Sequence, residues 1–182
     1  MINIVTQPSA LTSMQIQNST PDDLTIIMSL YDSAIVHQKK MFTKYWKPFD
    51  REMIESEIEE KRQWKLVIDR QVVCIFAITY NDPIIWKEKD GDPSLYLHRI
   101  VTHPAHRGRF FVKDIIVWAR EFGRKHGKQF IRMDTFGDNQ KLTDYYVSCG
   151  FKFLGLTTLG VADTLPLHYK NASLSLFEIP IH

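Results

Sequence analysis

Cysteine is scarce: two in 182 residues cannot build a disulfide framework. Cys74 lies in an apolar, strand-like run and Cys149 stands far from it before a glycine, so both read as reduced, packed thiols. No His, Cys and carboxylate spacing marks a metal site, and none is expected. Charge of one sign is equally short, because 23 Lys and Arg face 21 Asp and Glu, which leaves no overall charge to argue for a nucleic-acid partner. The basic group Arg120, Arg124, Lys125 and Lys128 falls at the end of a predicted helix, where cations are favoured anyway. No run approaches the roughly 18 apolar residues that span a bilayer. Met1 to Met14 also lacks the basic start and apolar stretch of a signal peptide. No membrane partner is expected, and the cytoplasm is the default location. Glycine and proline, eight each, are too few for a fibrous or low-complexity chain.

What is present is a globular composition, 44% hydrophobic and 24% charged. One domain over residues 1–182 is expected, with 1–12 as a flexible N-terminal segment. Met14 to Gln17 reads as a strand, and Ser19-Thr20-Pro21-Asp22-Asp23 opens a helix whose buried stripe is Leu24, Ile27, Met28, Tyr31 and Ile35. Asp50 caps a second, largely solvated helix over Arg51 to Lys61. Trp64 to Ile68 and Val72 to Tyr80 flank a tight turn at Asp69-Arg70, as in an antiparallel hairpin. After polar punctuation come a strand Leu95 to Thr102, an amphipathic helix Phe111 to His126 ended by Gly127, and a strand Phe130 to Thr135. A short helix Asn139 to Cys149 and the strands Phe151 to Leu156 and Leu174 to Ile179 complete the chain. The order predicts an α/β fold, a mixed sheet flanked by helices, with a parallel crossover between Leu95 and Thr135.

Two stretches carry chemistry. Ile100-Val101-Thr102-His103-Pro104-Ala105-His106-Arg107-Gly108-Arg109 runs from a strand through a glycine turn into a helix start, where unpaired N–H groups and the helix dipole can hold phosphates. Arg107 and Arg109 add charge there. The second stretch is Asn139-Gln140-Lys141-Leu142-Thr143-Asp144-Tyr145-Tyr146-Val147-Ser148-Cys149-Gly150-Phe151, preceded by Asp138. Together they resemble the GNAT acetyltransferase superfamily, whose members read Leu-Ala-Val-x-Pro-x-x-Arg-Gly-x-Gly and then Asn-x-x-Ala-x-x-x-Tyr-x-x-x-Gly-Phe. Ile100, Thr102, Pro104, Arg107 and Gly108 occupy the first pattern; Asn139, Leu142, Tyr146, Gly150 and Phe151 occupy the second.

The resemblance implies an acyl-CoA N-acyltransferase with acetyl-CoA as co-substrate and no metal. It implies that the strands ending at Thr102 and Thr135 splay to admit the cofactor. Cofactor contacts are then expected from Ile100, Val101, Thr102, Arg107, Gly108, Arg109, Phe110, Phe111, Val112, Asn139 and Tyr146. Tyr146 is the expected general acid for the departing thiolate, and His98 is the candidate base. The acceptor is expected to be a small-molecule or peptide amine bound near the first two helices and the hairpin; a homodimer is left open. The chain departs from the family at Phe110, which stands where a second glycine is usual; its ring is expected to turn away from the phosphates. That departure favours the alternative, a non-catalytic module of the same fold that binds CoA or a protein partner.

Overall fold

The computed structural model describes residues 13–137, 139–159 and 172–182. The expected flexible start at 1–12 and Asp138 of the second motif lie outside them. Strand β1 (Met14–Asn18) leads through a 3-10 turn at Pro21–Asp23 into helix α1 (Leu24–Met41). The Asp23 carboxylate accepts the Thr20 N–H at 2.7 Å and pairs with Lys65 Nζ at 2.6 Å, tying the helix start to the sheet. Leu24, Ile27, Tyr31 and Ile35 are buried as their spacing predicts; Leu30 joins them, and Met28 is only half-buried.

Asp50 accepts the Glu52 N–H and caps α2 (Arg51–Glu59). This helix is less solvated than its acidic composition predicts, because Glu57 faces inward and is 5% exposed. Its carboxylate meets Arg99 at 2.5 Å and Arg62 at 3.5 Å, and this double pairing is what makes burial of the charge tolerable. Strands β2 (Gln63–Ile68) and β3 (Gln71–Thr79) form the predicted hairpin. Asp69 and Arg70 both have positive φ, as a two-residue turn matched to strand twist requires. The polar segment after β3 holds a short helix, α3 (Pro83–Trp86), which its punctuation-like composition did not reveal.

β4 (Ser94–Thr102), α4 (Val112–Lys125) and β5 (Phe130–Phe136) make the parallel crossover, followed by α5 (Gln140–Ser148), β6 (Lys152–Thr158) and β7 (Ser173–Pro180). The sheet order is β1-β2-β3-β4-β5-β7-β6, and every neighbouring pair except β4/β5 is antiparallel. One face packs on α4 through Ile115, Ile116 and Ala119 against Leu66, Phe76 and Leu97; the other packs Ile75 and Val101 on α1 and α2. Arg120 and Arg124 on α4 donate to the carbonyls of Pro180 and His182, so the basic helix end is occupied in holding the C-terminal strand.

Candidate functional site

The parallel pair β4/β5 is joined only from Ser94/Phe130 to Tyr96/Arg132. Beyond that point each strand stays with its outer neighbour: β4 continues along β3 to Thr102, and β5 continues along β7 to Phe136. A bulge re-aims β4 there. Ala77 pairs with His98 and Ile75 with Val101, so Arg99 and Ile100 together oppose Phe76, and Arg99 takes a left-handed φ of 50°. The parting edges and the C-terminal half of α1 enclose a cavity of about 890 Å³.

Of the sequence-predicted residues, His98, Ile100, Val101, Thr102, Arg107, Asn139 and Tyr146 line this cavity. Gly108, Arg109, Phe110, Phe111 and Val112 do not line it; they form the turn beyond Thr102 and the start of α4. Gly108 has a φ of 83°, which a side chain would strain. The N–H groups of Gly108, Phe110, Phe111 and Val112 have no partner among the described residues, so the turn offers a row of donors at a helix N-terminus. The side chains of Phe111 and Val112 are buried in the core, which restricts any ligand contact of theirs to the backbone. Phe110 also has a positive φ, 55°, which explains why glycine suits this position. Its ring is 56% exposed and lies 5.9 Å from that of Tyr145, turned away from the cavity. Arg107 reaches across to α1, where its Nη1 lies 3.4 Å from His37 Nδ1.

Asn139 caps α5 by accepting the Leu142 N–H at 3.1 Å. Two helical turns on, Tyr146 packs its ring 5.3 Å from that of Phe177, while its hydroxyl has no hydrogen-bond partner among the described residues. Burial, with Cys149, Cys74 and Asp134 nearby, pushes the phenol well above the usual tyrosine range, so it keeps its proton at neutral pH. Tyr145 faces Phe110 and the core instead.

His98 is hydrogen-bonded through Nε2 to Thr79 Oγ1 at 3.0 Å. Burial, then Arg99 and Arg62, lower its pKa to about 3, so the ring is neutral. The Asp82 carboxylate, 3.9 Å from Nε2, is therefore neither its hydrogen-bond partner nor its ion-pair partner. Sequence reading missed several groups here. Asp134 lines the cavity from β5, His37 and Gln38 line it from α1, and Asp82, His98 and Asp134 bring one ligand-type atom each to within 4.8 Å of one another. Positions 82, 98 and 134 share no motif spacing, and only the parting of β4 from β5 brings them together. Ala34, Met41 and Trp46, on and after α1, line the cavity, whereas the hairpin strands β2 and β3, expected from the sequence to lie near the acceptor, contribute no lining residue.

A profile of the acetyltransferase (GNAT) family matches residues 36–151. The uncharacterized N-acetyltransferase YesJ of Bacillus subtilis is 26% identical over 89 residues, a match spanning about half of either chain. A GNAT-family acetyltransferase structure from Listeria monocytogenes superposes with a TM-score of 0.72 at 23% identity, covering 92% of this chain and 94% of that one. The yncA protein of Salmonella typhimurium, solved with its cofactor acetyl-CoA, superposes with a TM-score of 0.67 at 16% identity, covering 94% and 95%. Among the described residues no helix is long and apolar enough to cross a membrane. With a family profile over more than half its length and the motif residues set around one cavity, this chain belongs to the acetyltransferase (GNAT) family.

Proposed function

We propose that this protein transfers an acetyl group from acetyl-CoA to an amine by direct attack, both substrates being held in one cavity. The observation that carries the reading is Tyr146: a phenol with no hydrogen-bond partner among the described residues, kept protonated by burial, on the wall shared with the unzipped edges of β4 and β5. The thioester supplies the acyl group, and the chain supplies the rest. Edge groups of Ile100, Val101 and Thr102, released from any parallel partner, are placed to align an extended pantetheine arm as an added strand would be. The unpartnered N–H groups of Gly108, Phe110, Phe111 and Val112, with the side chains of Arg107 and Arg109, suit a pyrophosphate. Asn139 serves α5 as its cap and presents the same end of that helix to the cofactor. Tyr146 is the group that protonates the leaving sulfur.

Phe110, the feature favouring a non-catalytic module, does not line the cavity, so its ring leaves the cleft open. The test is calorimetry with acetyl-CoA, followed by thiol release across polyamines, amino acids, amino sugars and peptides. Binding is expected, and at least one amine should be turned over. Tyr146→Phe should lower kcat by roughly 10²- to 10⁴-fold, with acetyl-CoA affinity retained. Absence of binding to the wild type, or an unchanged rate in the variant, overturns the assignment.

A further inference from the structure

Deprotonation of the acceptor is not explained by His98. The Thr79 hydroxyl donates its one proton to the Asn81 carbonyl at 3.1 Å, so it can only accept from His98, which fixes the ring proton on Nε2. The bare Nδ1 is a poor base, because burial and then Arg99 and Arg62 oppose an imidazolium at this position. Asp134 is placed differently. It projects from β5 into the cavity two residues past the last paired position, and no side chain hydrogen-bonds to it among the described residues.

The groups around Asp134 are Asp82 from the turn before α3, neutral His98 from β4 and protonated Tyr146 from α5; β7 opposes it with Leu176. Asp90, from the segment after α3, stands behind Asp82, and Arg99 and Arg62 act on the His98 side. Two carboxyl groups thus share a partly buried space, with no ion pair from either of them to a Lys or Arg among the described residues, and they cannot both ionise readily. Burial and then Asp82 push Asp134 up to about 7; burial and then Asp90 push Asp82 up to about 6. Such a group is matched to taking a proton near neutral pH.

We propose that Asp134 takes the proton from the acceptor's ammonium, and that Asp82 is a positioning residue whose neighbouring carboxyl keeps Asp134 basic enough to do so. The inference rests on the acetyl-transfer reading above. An N–H bond of the ammonium breaks as the Asp134 O–H bond forms, freeing the nitrogen lone pair. The C–N bond then forms at the thioester carbon while the C–S bond breaks, and sulfur takes the Tyr146 proton. The second proton leaving nitrogen restores Tyr146, and Asp134 releases its own to solvent. Ammonium and thioester become amide, thiol and one proton.

The measurement is the pH profile of kcat/KM with an amine found in the panel. The wild-type rate should fall about tenfold per pH unit below about 7, since the base must be ionised. Asp134→Asn should lose 10²-fold or more and the acid limb with it, with calorimetric acetyl-CoA affinity unchanged. Asp82→Asn should move the limb to lower pH, a shift that a merely structural role would not produce. An Asp134→Asn enzyme with the wild-type rate and limb overturns the proposal. So does a wild-type rate abolished by a chelator and restored by zinc, which would make the three groups metal ligands. Carbon-13 NMR titration of the aspartates decides the carboxyl pairing even without an acceptor. Asp134 should titrate near neutrality in the wild type and lower in Asp82→Asn, whereas a wild-type value below 5 overturns the proposal and leaves the acetyl-transfer reading standing.

Discussion

Arg132 and Asp134 stand two residues apart on one face of β5, yet their surroundings are opposite in kind. Arg132, 1% exposed, sits where β4 and β5 are still paired. It is bound by Asp92 at 2.6 Å, by Glu178 at 2.8 Å and by the Lys89 carbonyl, with its guanidinium 4.9 Å from the Trp86 ring centroid. Each buried donor has an acceptor, and the positive charge has its negative counterparts. Asp134 sits just past the parting, beside another carboxyl and a neutral imidazole, and makes no ion pair among the described residues. The same strand closes a compensated charge cluster below the cavity and holds an uncompensated one within it. Electrostatic stress in this fold falls on the unzipped part of the sheet, at the cavity wall.

Removal of Arg132 should have the largest effect on stability. Arg132→Met keeps a long apolar side chain but leaves Glu178 and the Asp92 pair without their cation, and it should cost about 3–5 kcal/mol in denaturant unfolding. A loss within about 1 kcal/mol would mean that the cluster is solvated and that its neatness is geometric only.

The opposite sign is expected at Asp134. Its folded pKa of about 7 lies above the ordinary aspartate value near 3.9, so the folded protein holds a proton that the unfolded chain has already released between about pH 4 and 7. The contribution of this group to stability is therefore full below about pH 4 and is lost as pH rises through about 7. Asp134→Asn removes that loss. The variant should be more stable than the wild type at pH 8, by about 1–2 kcal/mol once solvent screening in the open cavity is allowed for, and the difference should vanish near pH 4. Thermal unfolding at the two pH values checks this, and a variant destabilised at pH 8 would place Asp134 among structural groups like Arg132.

The two clusters also mark how far the sequence could be read. Elements with strong periodicity, caps and turns were legible: Thr20, Asp50 and Gly127 bound helices, and Asp69-Arg70 makes the hairpin turn. The motif residues Arg107, Asn139 and Tyr146, which line the cavity, and Gly108, in the turn beyond it, could be singled out because the two motifs are local in sequence. The buried charges could not. Glu57 reads as one more acid on an acidic helix until Arg99 and Arg62 are seen to converge on it from two strands. Asp134 reads as the polar phase of an alternating strand, and Asp82 as loop punctuation. Their meaning depends on which neighbouring strand has parted, a property of the β4 bulge at Arg99 that no local pattern encodes.

The turn after β4 offers the mildest contrast, since its strain is conformational and its side chains face water. Phe110 is held at a φ of 55°, which costs a non-glycine residue roughly 1–2 kcal/mol. Phe110→Gly relieves that strain. It gives up a ring contact with Tyr145 worth about 0.5–1.5 kcal/mol and adds unfolded-state freedom of similar size. The terms nearly cancel, because the ring is mostly exposed and little apolar area is lost; unfolding stability should change by no more than about 1 kcal/mol. Acetyl-CoA affinity, measured by calorimetry, should hold or improve, since the donors are backbone N–H groups that glycine also supplies. A folded variant that no longer binds acetyl-CoA would show that the ring, with Lys113 Nζ 6.0 Å from its centroid, is itself a ligand contact. The phosphate turn would then owe its grip to side chains as much as to the open helix end.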